Sequence, residues 1–280
     1  MKKFYFIILL FMVTKINPQV DSTDRMWTYS LATGINLSQI TLSNWAQGGD
    51  NAISWVFNIN GNANYKYLPW NLKNSLKLAY GRTKLGSNDY RTNDNEFYLE
   101  TVLSYSIGWI IDPYISNTVR SAVSTGYDYK ATPEFLKTAD FFDPGYITQS
   151  IGFTYNKSKI ISTRLGLAFQ ETITNLQRNY SDDPETKDEI ESFRFDTGIE
   201  SVTNIEFTID DNVLFTSMLR LFSIFKELDV WDVRWDNTIN AKISKYFSVN
   251  FNVLTIYEKK QSLKTQLKEG LQLGINYTIF

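Results

Sequence analysis

From Trp27 to the C-terminus the chain alternates large apolar residues with small or polar ones at a period of two. Trp27, Tyr29, Leu31, Thr33, Ile35 and Leu37 interleave with Thr28, Ser30, Ala32, Gly34, Asn36 and Ser38. The segments running from Ile53 to Tyr67, from Phe97 to Trp109 and from Leu267 to Ile279 repeat the pattern. A period of two puts successive side chains on opposite faces of a strand, and no segment holds the 3.6-residue period of a helix. The chain therefore reads as all-β. Twelve strands are predicted, at 27–38, 52–67, 71–84, 96–110, 114–127, 146–155, 160–173, 192–209, 213–225, 230–243, 247–257 and 267–280. Connections after the even strands are short and mostly marked by turn formers such as Pro69, Asp112-Pro113 and Asp210-Asp211-Asn212. Most of those after the odd strands are long and polar; 226–229 breaks the rule. An even strand number with alternating short and long connections predicts an antiparallel up-and-down transmembrane β-barrel of about 12 strands, with both termini on the short-turn side.

Which face meets water decides the rest. Eight strands can be filled by side chains, whereas a wider barrel encloses a cavity. Twelve strands of inward aromatics would be hard to pack as one soluble core. A two-sheet sandwich is the competing arrangement. The segments reach the ten or so residues of a tilted membrane strand, against about six in soluble sheets. Aromatics including Trp27, Tyr65, Trp70, Trp109, Tyr114 and Trp235 lie near strand ends, as in a membrane-interface girdle, although β-propensity also favours them. The apolar column is thus expected to face lipid and the polar column a lumen. Asn74, Gln149, Glu171, Asn237 and Glu269 break the parity, and Gln149 and Asn237 suggest a bulge or a shifted register.

The N-terminus reads as an address. Lys2 and Lys3 precede the uncharged, mostly apolar run from Phe4 to Val13, the pattern of a secretory signal peptide. A signal peptide at 1–18 and a barrel at 19–280 are expected, without a lipobox cysteine. The expected location is the cell outer membrane of a Gram-negative bacterium. The expected partners are outer-membrane lipid and lipopolysaccharide, the barrel-assembly machinery and an unidentified small solute. The net charge of −2 argues against nucleic acid.

The polar column carries mixed charge: Arg120, Arg164, Arg194, Asp196, Glu200, Arg220, Asp232, Arg234 and Asp236. Neighbouring strands could pair these groups along the wall. They could form a selectivity ring for a small polar solute or a salt-bridged plug, and the mixed sign favours the plug. Around the predicted closure of the last strand on the first, inward positions are small or amide-bearing, as at Gly34, Asn36, Gly270 and Gly274. The adjoining loop carries Leu42, Asn44, Trp45, Gly48 and Gly49 and is expected either to fold into this space or to stay exposed. The chain has no Cys and no His. That excludes thiol chemistry, histidine triads and imidazole metal sites. A carboxylate pair such as Asp232 and Asp236 is more simply explained by the mixed lumen charge, so no catalytic residue, cofactor or metal is expected. The acidic run Asp182, Asp183 and Glu185 reads as a solvated loop rather than a calcium site.

Several stretches together carry a family resemblance. They are Leu37-Ser38-Gln39, Leu42-Ser43-Asn44-Trp45-Ala46 with Gly48-Gly49, Leu78-Ala79-Tyr80-Gly81, Phe142 with Pro144 and Tyr146, Asp232-Val233 with Trp235, and Lys268-Glu269 with Leu271, Gly274 and Tyr277. In this order they resemble an uncharacterised family of outer-membrane barrels from Bacteroidota, catalogued as domain of unknown function 3078. The resemblance implies an outer-membrane barrel and nothing about cargo. One departure is that the apolar column ends at Ile279, leaving Phe280 out of phase. The expected role is passive passage or binding of a small solute or lipid. The alternative is a closed structural or surface-interaction barrel without channel activity.

Overall fold

The computed structural model describes residues 26–43, 49–131, 134–183, 186 and 189–278. The expected signal peptide at 1–18 and the terminal Phe280 lie outside the described residues. The strands are β1 (Trp27–Ile40), β2 (Ala52–Tyr67), β3 (Trp70–Leu85), β4 (Arg91–Tyr105), β5 (Asp112–Ser121), β6 (Gly126–Asp128), β7 (Leu136–Ala139), β8 (Gly145–Tyr155), β9 (Ile161–Ile173), β10 (Phe193–Asp210), β11 (Val213–Ile224), β12 (Asp232–Lys242), β13 (Phe247–Tyr257) and β14 (Gln266–Thr278). All but β6 and β7 form one closed antiparallel barrel of twelve strands, with β14 returning to β1. β6 and β7 make a small hairpin inside the loop that joins β5 to β8.

The alternation fixes which way each strand faces. On β9, Leu167 is 51 % exposed and its neighbour Ala168 0 %; on β8, Ile151 is 52 % exposed and Ser150 3 %. Large apolar side chains therefore cover the outside, and the polar column points in. A hydrocarbon surround is the only one that rewards this inversion over so many adjacent strands. Closure pairs the first strand with the last over Ala32–Leu37 and Leu273–Thr278, so most backbone groups are satisfied within the wall. Among the described residues no helix is long and apolar enough to cross a membrane.

Three expectations need correction. The fourth and fifth strands run at Arg91–Tyr105 and Asp112–Ser121, not at 96–110 and 114–127. The alternation carries on through Ile107 and Trp109, but the chain turns there. Gly108 takes φ +81, and the Asp112 carboxylate accepts the Ile107 amide at 3.2 Å and binds Lys157 at 2.5 Å. Trp109 is consequently 72 % exposed in a turn rather than on a strand. Tyr114, expected near the outer interface, points inward and is 2 % exposed. It sits opposite Gly152, which itself faces Gly166. A Cβ at Gly166 would meet the Tyr114 hydroxyl at 2.7 Å, so the glycine makes room for the ring. Finally, Gln149 and Asn237 mark no bulge; both lie in regular register on the outer face. Gln149 ends an outward polar row through Asn74, Thr101 and Asn117. Within it Asn74 donates to the Ala63 carbonyl at 2.9 Å and accepts from Thr101 at 2.9 Å.

Leu167 occupies the middle of β9 on the outer face. Leu167→Arg should destabilise the barrel by about 2–4 kcal/mol, the cost of a cation at the bilayer midplane. Reversible denaturant unfolding from lipid vesicles reads this value; a loss below about 0.5 kcal/mol would contradict a lipid-facing position.

Candidate functional site in the barrel lumen

The inward column is built from a polar lattice along one wall and from ion pairs that cross the lumen. On the β5–β8–β9 wall, Ser116 and Ser150 share a hydrogen bond of 2.7 Å, and Tyr114 reaches the same Ser150 at 3.2 Å. Thr148 donates to Gln170 at 3.3 Å, and Gln170 also accepts from Arg220 of β11 at 3.0 Å. Arg220 binds Glu200 on the neighbouring strand at 2.7 Å, and the Glu200 side chain is 1 % exposed. Most buried polar groups here find a partner on the adjacent strands, as is general for buried polar groups; Thr172 Oγ1 and the second oxygen of Glu200 do not.

Other ion pairs leave the wall and cross the lumen. Arg234 of β12 pairs with Glu96 of β4, strands half-way round the barrel from each other. Lys77 of β3 binds Asp236 of β12 at 2.8 Å and Glu96 at 3.2 Å. Arg164 of β9 pairs with Glu100 of β4, whose carboxylate also accepts from the Tyr98 hydroxyl at 2.8 Å. A circular barrel of twelve strands would be about 24 Å across. That is more than an Arg and a Glu can bridge through one ion pair. The section must therefore be flattened, drawing β4 toward β12. Together these pairs form a septum.

A cavity lies on each side of it. The one at the long-loop end has a volume of about 640 Å³ and is lined by Arg234, Lys268, Tyr146 and Tyr180, among others. The one at the short-turn end has about 300 Å³ and is lined by Lys73, Glu100, Arg164 and Glu206, among others. The β6–β7 hairpin contributes Gly126, Tyr127 and Ala139 to the larger chamber, so loops form part of its wall. Asp143 staples those loops together by accepting the backbone amides of Asn175, Leu176 and Gln177 at 2.8, 2.9 and 3.1 Å. Burial works against its ionisation, but the three amides outweigh it and hold the carboxyl below its ordinary range. Glu258, just beyond β13, behaves similarly. Burial raises its pKa, yet Arg120 at 3.0 Å prevails and keeps it low.

The nine predicted lumen charges all lie on the lumen side, but their partners differ from the expected neighbours. Arg220 and Glu200 do pair between adjacent strands, and Arg194 binds Asp196 within β10 at 2.7 Å. Arg234, Asp236 and Arg164 instead reach across to β3 and β4, and Arg120 binds Glu258 in a loop. Asp232 accepts only the Lys259 amide, at 3.3 Å, among its described hydrogen bonds. Glu96, Asp94 and Glu258 are the acids missing from the sequence reading. Asp94 falls in the stretch read as a loop, and Glu96 on its border, although both share the even parity of Tyr98 and Glu100. In the loop after β1, the Leu42 amide donates to Asn51 at 2.7 Å and Gly49 takes φ +116. Asn44, Trp45 and Gly48 lie outside the described residues. The small-residue wall is knitted by amides: Asn250 donates to Asn36 at 3.2 Å and Asn276 to Ser248 at 2.6 Å. Of the acidic run, Glu185 lies outside the described residues; no cluster of metal-binding side chains occurs among the described ones.

A family model described as "Protein of unknown function (DUF3078)" matches residues 37–127. No curated protein sequence matches the chain. Among solved structures, an outer-membrane channel from Pseudomonas putida F1 is similar at 12% identity and TM-score 0.38, covering 93% of this chain and 99% of that one. The translocator domain of the autotransporter NalP from Neisseria meningitidis is similar at 8% identity and TM-score 0.37, covering 90% and 87%. The KdgM porin is similar at 10% identity and TM-score 0.31, covering 88% and 98%.

Glu200→Ala leaves Arg220 buried with only Gln170 and should cost about 3–5 kcal/mol. The double change Glu200→Leu with Arg220→Met should cost much less, because no charge is then stranded. Denaturant midpoints of the two variants check this; equal losses would show that the pair acts through packing alone. The Asp143 staple has a pH signature. A lowered carboxyl pKa stabilises the loops above the ordinary Asp value of about 3.9, and this is lost as pH falls through the lowered value. Amide hydrogen exchange at Asn175, Leu176 and Gln177 should accelerate over that acid range in the native chain. In Asp143→Asn it should be fast at neutral pH already.

Proposed function

We propose that the chain is an outer-membrane barrel of a Gram-negative bacterium that admits a small solute to its loop-side chamber and passes it when the septum rearranges. The observation that carries this reading is the division of a polar lumen into two cavities, of about 640 and 300 Å³, by ion pairs drawn from opposite walls. A structural barrel would need no chamber of that size beneath its loops. A permanently open pore would not carry ion pairs across its waist. In this reading the apolar belt meets outer-membrane lipid and lipopolysaccharide, the barrel-assembly machinery inserts the chain, and a cleaved leader delivers it. The role is non-enzymatic: Glu96, Glu100 and Asp236 are engaged with the cations of the septum, and Glu200 with Arg220 in the wall.

The same crossing pairs favour a second reading, a closed barrel whose loops interact at the cell surface. Conductance in a planar bilayer separates the two. The native chain should give small, infrequent current steps. Replacing Lys77, Glu96 and Arg234 together by Ala should raise single-channel conductance several-fold without unfolding the barrel, as read by heat-modifiable migration in detergent gels. A folded triple variant that stays silent across salts and voltages would return the closed barrel to first place.

A further inference from the structure

The barrel does not close evenly. β1 and β14 are in register only from Ala32 with Thr278 to Leu37 with Leu273. Yet β1 continues to Ile40, still paired with β2, and β14 begins at Gln266, paired from there with β13. Toward the loop end, Ser38–Ile40 and Gly270–Gln272 therefore face each other as two strand edges, and 266–269 run on past the end of β1, with no ladder on this side of β14 among the described residues. By comparison, β1 pairs with β2 from Trp27 to Ile40. The free stretch of β14 is exposed on both faces: Leu267 and Leu271 outside at 60 % and 67 %, and the Lys268 side chain inside at 44 %. A Cβ built at Gly270 would meet no heavy atom closer than 4.0 Å. In hydrocarbon, an unpaired strand edge costs several kcal/mol for each stranded backbone group, so a gap here needs a compensating use.

The interior supplies a second, independent observation. The inward column of β13 is polar at Ser248, Asn250 and Asn252 and then turns apolar at Leu254 and Ile256. These two residues line the larger chamber beside Gln266 and Lys268 of the free β14 stretch. Leu254 and Ile256 thus form a short apolar strip on the chamber wall one strand in from the gap, opposite Lys268 and Gln266 of β14; Lys268 pairs with Asp94, and Arg234 on the next strand with Glu96.

We infer that the gap between β1 and β14 is a side portal joining the loop-side chamber to the surrounding outer leaflet. Its solute is an amphipathic molecule, with an apolar tail that lies along Leu254 and Ile256 and a polar head that meets the paired charges. This rests on the proposed solute-passing role and narrows its substrate class.

The absence of native cysteines makes the portal easy to staple. Continuing the register beyond Leu37 and Leu273 brings Gln39 opposite Leu271, so a disulfide in Gln39→Cys/Leu271→Cys would sew the gap shut. The probe is dodecanoate carrying a photoreactive diazirine on its tail, dissolved in vesicles holding the barrel, with labelled peptides mapped by mass spectrometry. The native chain should be labelled at inward-facing Leu254 and Ile256. The oxidised double variant should lose that labelling and regain it on reduction. Leu37→Cys/Leu273→Cys, which staples an existing rung, should keep it. Gly270→Trp fills the gap without a crosslink and should also abolish it. Native protein labelled only at outward residues, or inward labelling that survives both the staple and Gly270→Trp, would overturn the portal. Conductance recorded on the same samples keeps the two ideas apart: inward labelling with silent bilayers would sink septum passage and leave the portal standing.

Discussion

In hydrocarbon there is no water to satisfy a peptide group, so each strand must be hydrogen-bonded on both sides. That requirement closes the sheet on itself. It also sets the inversion of the chain, with Ile151, Leu165 and Leu167 outside and Ser150, Arg164 and Ala168 inside. A soluble sheet could turn one polar face to bulk solvent. Here the polar face is folded around a narrow space, and every group on it must find a partner or water in that space. The dense lattice of Ser116, Ser150, Thr148, Gln170, Arg220 and Glu200 is one solution. The crossing pairs of Lys77, Glu96, Arg234 and Asp236 are the other.

These two solutions divide the lumen unequally. The β5–β8–β9–β10–β11 side is densely cross-linked. The β14–β1–β2 side carries glycines, serines and asparagines, and residues such as Asn60 and Asn62 remain exposed within it. Small side chains leave space because they cannot reach across. The weakly zipped closure of β1 on β14 falls on this same side. Rigidity and openness are thus segregated around the circumference, the arrangement a barrel needs if part of its wall or septum is to move while the rest holds.

The loops add a second layer. Asp143 gathers three amides from the loop after β9, and Glu258 anchors the loop after β13 to Arg120 inside the barrel. Lys259 of that same loop joins Glu227 of the loop after β11 at 2.6 Å. Ionised carboxylates thereby fix the wall of the larger chamber at neutral pH, so chamber shape and loop charge are coupled.

The alternation of residue sizes by itself determined the architecture: the strand class, the number of strands in the barrel, the outward apolar column and the lumen position of all nine predicted charges. Period two is a local property that survives translation into any register, and antiparallel neighbours share it. The same pattern misled at Ile107 and Trp109, where Gly108 and Asp112 turn the chain while the alternation runs on. Tyr114 reads as an interface residue, being an aromatic near a strand end, although it shares the parity of inward Arg120; nothing local signals that Gly152 and Gly166 wait across the wall to receive its ring. Only the tertiary structure decided which charges meet. Arg234 and Glu96 are brought together by closure and flattening of the barrel, and both depend on how far each strand is staggered against the next. That stagger is the sum of every register around the ring. No single stretch of sequence encodes it, and it is also what leaves the edge of β14 without its neighbour.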